Sequence, residues 1–218
     1  MFQKIILSIE IITAILGCVY FYKYKRTPLW PWLILLLLAP LAEIIGVWYS
    51  NNITYNNHVI FNIYDIIGQV ILLKIIYDFV EDHTRKKAVF AIGVLSLAFF
   101  VINCTYESVV TGFLTLYKSF ETAFIILALA IYLIDILKND SIIAFRNNLP
   151  FIVFTGYLIF NVVYLPIYFA FQYLVNLSEG GEIMYPVLKN VLGYTIAFIN
   201  VLFIFGILWT RKVETQKA

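Results

Sequence analysis

The sequence predicts an all-α polytopic membrane protein, one bundle of seven transmembrane helices with the N-terminus outside and the C-terminus cytoplasmic. Three observations predict it. First, 62% of the 218 residues are hydrophobic and 13% are charged, with a mean hydropathy of +0.90, where soluble domains run roughly 45–50% apolar and 25% charged. Second, seven apolar runs cover 4–22, 30–49, 59–80, 88–106, 108–137, 150–175 and 184–209, each near the ~20 residues that cross a hydrocarbon core. Third, Lys and Arg fall on one side. Lys23, Lys25 and Arg26 follow the first run, Arg85, Lys86 and Lys87 the third, Lys138 and Arg146 the fifth, and Arg211, Lys212 and Lys217 the seventh, so that eleven of fifteen lie on the side the positive-inside rule makes cytoplasmic.

The runs consume the chain, leaving a single domain over 1–218. Trp30 and Trp32 mark the entry of the second helix, Trp48 its exit and Trp209 the end of the seventh, as interfacial aromatics do. Short connections predict antiparallel neighbours. Two outer connections, "SNNITYNNH" and "NLSEGGE", are polar and turn-rich, with Gly180 and Gly181 as breakers. No internal repeat is visible, which weakens an inverted-repeat transporter. Lys4 and "ILGC" at 15–18 mimic a lipoprotein signal, yet "VYFYKYKR" after Cys18 is a helix end with a basic flank. Asn52, Asn103 and Asn176 match the glycan acceptor pattern by coincidence in an Asn-rich chain. Cys18 and Cys104 have neither CxxC nor metal spacing, and no clustered basic surface suits nucleic acid.

Charges inside the runs are the informative residues, because a charge at bilayer depth costs roughly 2.5–3.5 kcal/mol and turns toward protein or water. Lys74 with Asp78, and Asp135 with Lys138, are spaced to pair locally near the cytoplasmic rim. Glu10, Glu43, Asp65 and Lys189 each lie about 8–10 Å below the outer boundary of their helix, at 1.5 Å per residue. Lys118 and Glu121 lie about 15–20 Å down a helix that begins at 108. Four acids against two lysines leave an excess of negative charge that a hydrated pocket, a bound cation or protonated carboxyls would relieve.

Helical spacing places polar neighbours on the same faces. Asn62, Asp65 and Gln69 form one stripe, Glu10 shares a face with Thr13 and Gly17, and Glu43 with Gly46. The sixth run carries Tyr157, Asn161, Tyr164, Tyr168 and Gln172, with a bend expected at Pro166. The seventh adds Lys189, Asn190, Gly193, Tyr194 and Asn200. The candidate ligand-binding pocket is therefore Glu10, Glu43, Asn62, Asp65, Gln69, Lys118, Glu121, Asn161, Tyr164, Lys189 and Asn190, open to the outside.

Three readings fit such a cluster: an internal network that fixes helix packing, a pocket for a small polar or zwitterionic ligand, and proton-coupled transport or lipid hydrolysis. Enzymatic chemistry lacks parts. His58 and His83 sit on opposite sides of the membrane, and no HExxH, GxSxG or glycine-rich phosphate loop occurs. No metal or other cofactor is expected. A retinal photoreceptor shares the outline of a lysine on helix seven facing an aspartate on helix three, but Lys189 lies at the outer mouth rather than mid-helix. The preferred expectation is a sensory or receptor-like module, which requires a separate cytoplasmic or membrane signalling partner because the short inner connections and the stretch from Arg211 carry no output domain. A small secondary transporter is the alternative.

"YKYKRT" after the first run, "LAEIIGVW" in the second, "NNHVIFNIYDII" opening the third and "FINVLFIFGILWTRK" closing the seventh resemble a group of small, uncharacterised seven-helix inner-membrane proteins of Bacteroidetes-type bacteria. Glu43 and Asn62 are where the resemblance is clearest. It implies the topology and a bacterial cytoplasmic membrane, and no activity.

Overall fold

The computed structural model describes residues 2–54, 56–110, 112, 114–138, 148–175 and 181–210, without the side chains of 2, 115, 116, 171–175 and 181–185. Seven helices form: α1 (Phe2–Val19), α2 (Trp32–Asn52), α3 (His58–Phe79), α4 (His83–Tyr106), α5 (Thr115–Lys138), α6 (Leu149–Val175) and α7 (Gly181–Trp209), with a 3-10 turn at Phe21–Lys23. Six of them, α2 to α7, are long and apolar enough to cross a membrane. The protein is a multi-pass membrane protein. The remaining helix, α1, is 18 residues long and packs between α2 and α7. Arg146, Asn176, Gly180, Arg211, Lys212, Lys217 and the Gln172 side chain lie outside the described residues.

Two starts differ from the hydropathy pattern. Helix α4 begins at His83 rather than 88, because Asp82 is its N-cap and accepts a hydrogen bond from the Arg85 amide at 2.8 Å. The cap makes a polar first turn helical where hydropathy sees none. Helix α5 begins at Thr115 rather than 108. Its apolar run includes Val109, Val110 and Leu114, which belong to a connection whose backbone is held by Asn62 of α3, described below. Pro40, Pro166 and Pro186 sit inside continuous helices.

Each helix packs on its neighbours in sequence, α7 closes the ring on α1, and α3 also reaches α5. Alternating directions give the bundle two ends. The N-terminal face carries residue 2 and the α2–α3, α4–α5 and α6–α7 connections; the C-terminal face carries the other connections and Thr210.

The two halves differ in chemistry. The continuous apolar core comes from Tyr24, Leu29, Trp32, Leu35, Leu36, the end of α3 from Leu72 to Val80, the second half of α5, the start of α6 and the end of α7. All of these belong to the C-terminal half. Trp32, expected at the interface, is fully buried there, edge-on to Phe203 at 5.3 Å. Trp30, Trp48 and Trp209 are exposed. Small residues permit the tight crossings: a Cβ on Gly17 would stand 2.7 Å from Leu36, and one on Gly156 2.5 Å from the Phe203 ring.

Candidate functional site

The site is built in the polar N-terminal half, starting from the first turns of α5. Lys118 Nζ stands 2.6 Å from Asp65 Oδ1 and 3.1 Å from Glu121 Oε2, and lies 5.5 Å from the centre of the Tyr164 ring. The Glu121 contact is an ion pair, since Glu121 Oε2 has no aligned hydrogen bond. One ammonium thus binds carboxylates from α3 and α5 and an aromatic face from α6. Because α5 starts at Thr115, Lys118 is about 4–5 Å along its helix and Glu121 about 9 Å, not 15–20 Å. Asp65, seven residues into α3, is about 10 Å along. The three charges therefore share one level.

Two buried asparagines hold that level in place. Asn62 Nδ2 donates to the carbonyls of Val109 and Gly112, both at 2.8 Å, and its Oδ1 accepts from the Leu114 amide at 3.5 Å. Asn103 Oδ1 accepts from the Tyr117 amide at 2.5 Å while its Nδ2 donates to Glu107 at 2.9 Å. The Tyr117 amide is one of the donors a helix start leaves without an intrahelical partner, so Asn103 caps α5 from a neighbouring helix. Tyr117 in turn donates its hydroxyl to Gln69 Oε1 at 2.5 Å. Asn62 and Gln69, expected to line the pocket, instead spend hydrogen bonds on positioning the start of α5. Asn103 matched only a glycan pattern in the sequence; with 2% of its surface exposed and both amide atoms engaged, it is a structural anchor.

A chain of charged neighbours extends the cluster around the ring. Tyr64, beside Asp65 on α3, lies within electrostatic reach of Lys118, Glu121 and Glu10. Glu10 on α1 is buried, its Oε2 has no hydrogen-bond partner among the described residues, and it lies within electrostatic reach of Glu43 on α2. Glu43 in turn lies within electrostatic reach of Lys189 on α7. With Tyr164, six helices contribute, all except α4. Glu43 sits on the stripe of α2 that is buried at Trp32, Leu35, Leu36, Ala42 and Gly46, and Lys189 on the stripe of α7 that is buried at Gly193, Phe203 and Ile207. Both are nevertheless exposed. Inward stripes that lose their cover at this level mean that the bundle opens there.

Two further expected members stand differently. Asn161 is buried and donates to the Tyr157 carbonyl of its own helix at 2.8 Å. Asn190 is exposed on the outward stripe of α7 with Val187, Val191, Tyr194 and Phe198, so its side chain leaves the interior, as does that of Tyr194. The aromatic series on α6 persists, Tyr164 stacking on Phe160 at 5.4 Å and on Tyr168 at 5.7 Å. Tyr64 and Tyr117 were not singled out from the sequence, although Tyr64 adjoins Asp65 and Tyr117 adjoins Lys118.

The C-terminal face is tied by different pairs. Lys74 pairs with Asp78, as the spacing predicts. Asp135 does not pair with Lys138; it accepts from Arg85 at 2.5 Å and from the Glu81 amide at 2.8 Å, joining α5 to the α3–α4 turn. A buried carboxylate takes the partner that also satisfies a backbone donor. Lys23, counted among the cations of the cytoplasmic side, is buried and donates to the carbonyls of Ile207 and Thr210, both at 2.7 Å. Burial pushes its ammonium below the usual lysine value, while the carbonyl end of α7 favours the charge. The Asp82 carboxyl is held below the ordinary value, first by the Arg85 amide.

No family model, curated protein or solved structure matches the chain.

Proposed function

We propose that the chain is a receptor-like seven-span protein of a bacterial cytoplasmic membrane, with its N-terminal face outside, that binds a small polar or zwitterionic molecule in the opening of that face. The observation that carries this reading is the exposure of Glu43 and Lys189 on otherwise buried stripes, with Glu43 within electrostatic reach of a buried Glu10 whose Oε2 has no hydrogen-bond partner among the described residues. An exposed carboxylate and an exposed ammonium within electrostatic reach of one another suit a ligand that carries both charges. Among the described residues, Lys23, Lys25, Arg26, Arg85, Lys86, Lys87 and Lys138 gather at the C-terminal face, which supports placing that face in the cytoplasm. A separate signalling partner on that side completes the reading.

The test uses the purified full chain in lipid nanodiscs, with thermal unfolding followed across amino acids, betaines and polyamines. At least one should raise the midpoint, and Glu10→Gln, which keeps the side-chain shape, should remove the shift. If no member of the panel acts and Glu10→Gln leaves the protein's phenotype intact, the reading fails. Tyr64 favours a second reading, because one phenol lies within electrostatic reach of Glu10, Asp65 and Glu121 and so stands between the acids of α1, α3 and α5. Substrate uptake into proteoliposomes that follows an imposed proton gradient and is lost in Glu121→Gln would establish a carrier instead.

A further inference from the structure

At the opposite end of the bundle, where α3 turns into α4, the surface carries a depression of about 290 Å³ lined by Tyr77, His83, Lys86, Lys87 and Phe90. We infer that it is a binding site for the headgroup of an anionic membrane phospholipid. His83, Lys86, Lys87 and Phe90 follow the i, i+3, i+4, i+7 spacing of a single helical face. The neighbouring Arg85 points away, to Asp135. The basic run is thus divided: one guanidinium ties the bundle together, and the other cations line a concavity.

Lys86 Nζ sits 4.7 Å from the centre of the Tyr77 ring, and Tyr77 meets Phe90 at 6.4 Å. The ring orients the ammonium without neutralising it. No carboxylate within 4.0 Å pairs with His83, Lys86 or Lys87 among the described residues, so the phosphate of a lipid meets uncompensated charge. Lys74 and Asp78, one turn before on α3, occupy each other.

The lining runs from charged to apolar along α4, and this selects a lipid over a soluble phosphate. Phe90 lies about 10 Å beyond His83 along the helix, and it continues into the exposed Val94, Leu97 and Val101 on the membrane-spanning surface. A headgroup over the lysines places its acyl chains against that stripe, with the aromatic pair at the boundary. This site is at the other face from the Glu10–Lys118 cluster and does not depend on what that cluster binds.

The experiment is native mass spectrometry of the intact chain released from nanodiscs containing equal phosphatidylglycerol and phosphatidylcholine. Wild type should retain phosphatidylglycerol preferentially. Lys86→Gln/Lys87→Gln, the first position half-buried and the second exposed, should weaken that retention by roughly 30-fold, each lysine near an anionic surface contributing about 1 kcal/mol. The control Lys25→Gln/Arg26→Gln, which removes two exposed cations of the same face, should leave it within about twofold. Equal retention of both lipids, or equal loss in the control, overturns the site in favour of diffuse surface charge. Complete competition by glycerol 1-phosphate overturns the lipid assignment in favour of a soluble phosphate ligand.

Discussion

Lys118 holds two carboxylates at once, and its neighbours leave it little choice of conformation: Asp65 stands at 2.6 Å, Glu121 at 3.1 Å, and the Tyr164 ring closes one side. Removing it strands the half-buried Asp65 and the buried Glu121 without their cation, and an uncompensated buried charge costs about 3–5 kcal/mol. Lys118→Met should therefore lower unfolding stability by about that amount in a denaturant titration. Asp65→Asn/Lys118→Met/Glu121→Gln should recover most of it, since no charge is left unpaired. If the triple variant is as unstable as the single one, the cost comes from lost lysine packing and not from electrostatics. The residue types were legible in the sequence, because charge within an apolar run is conspicuous. Their partners were not: Lys118 takes Asp65 from 53 positions upstream, and Asp135 takes Arg85 rather than the local Lys138. Partner choice depends on which elements pack together, and a single helix does not encode that.

At the scale of an element, helix ends depend on capping groups that hydropathy does not register. Helix α5 begins where Asn62 holds the preceding backbone and Asn103 caps the first turn, and this shift of seven residues moves Lys118 from mid-membrane to the first turn. Helix α4 begins at its N-cap, Asp82, ahead of the apolar run. Its carboxyl is held down in the fold by the Arg85 amide. Its contribution is therefore complete above the ordinary Asp value of 3.8 and is lost as pH falls through the folded value. Asp82→Asn, which keeps the cap, should flatten the decline of the melting temperature below about pH 4 while changing it little at pH 7. The α6–α7 crossing gives another test. A methyl group on Gly156 would meet Phe203 at 2.5 Å, so Gly156→Ala should cost about 1–3 kcal/mol by forcing the ring aside. An unchanged midpoint would mean that the two helices separate without penalty.

For the whole molecule, the division of the bundle matters more than any single pair. Apolar packing closes the C-terminal half, and ionisable groups from six helices occupy the N-terminal half, where two inward stripes lose their cover. Orientation is testable in a Cys18→Ala/Cys104→Ala background with a membrane-impermeant maleimide on intact cells. Lys4→Cys and Asn52→Cys should label from outside, and Lys25→Cys and Thr84→Cys only after lysis. Labelling of Lys4→Cys and Lys25→Cys from the same side would show that α1 does not cross, and the reverse pattern throughout would invert the protein.

Composition, run length and the placement of Lys and Arg determined by themselves that the chain is helical, multi-pass and asymmetric in surface charge, because hydrocarbon imposes those requirements locally, one helix at a time. The interior of the site was decided only by the tertiary structure. Stripe geometry pointed Glu10, Glu43, Asp65 and Lys189 inward, but only the closed ring makes Glu43 and Lys189 solvent-accessible, turns Asn190 outward and spends Asn62 on backbone. Those outcomes depend on the rotation of each helix and on the space its neighbours leave, and both are set by packing across the bundle.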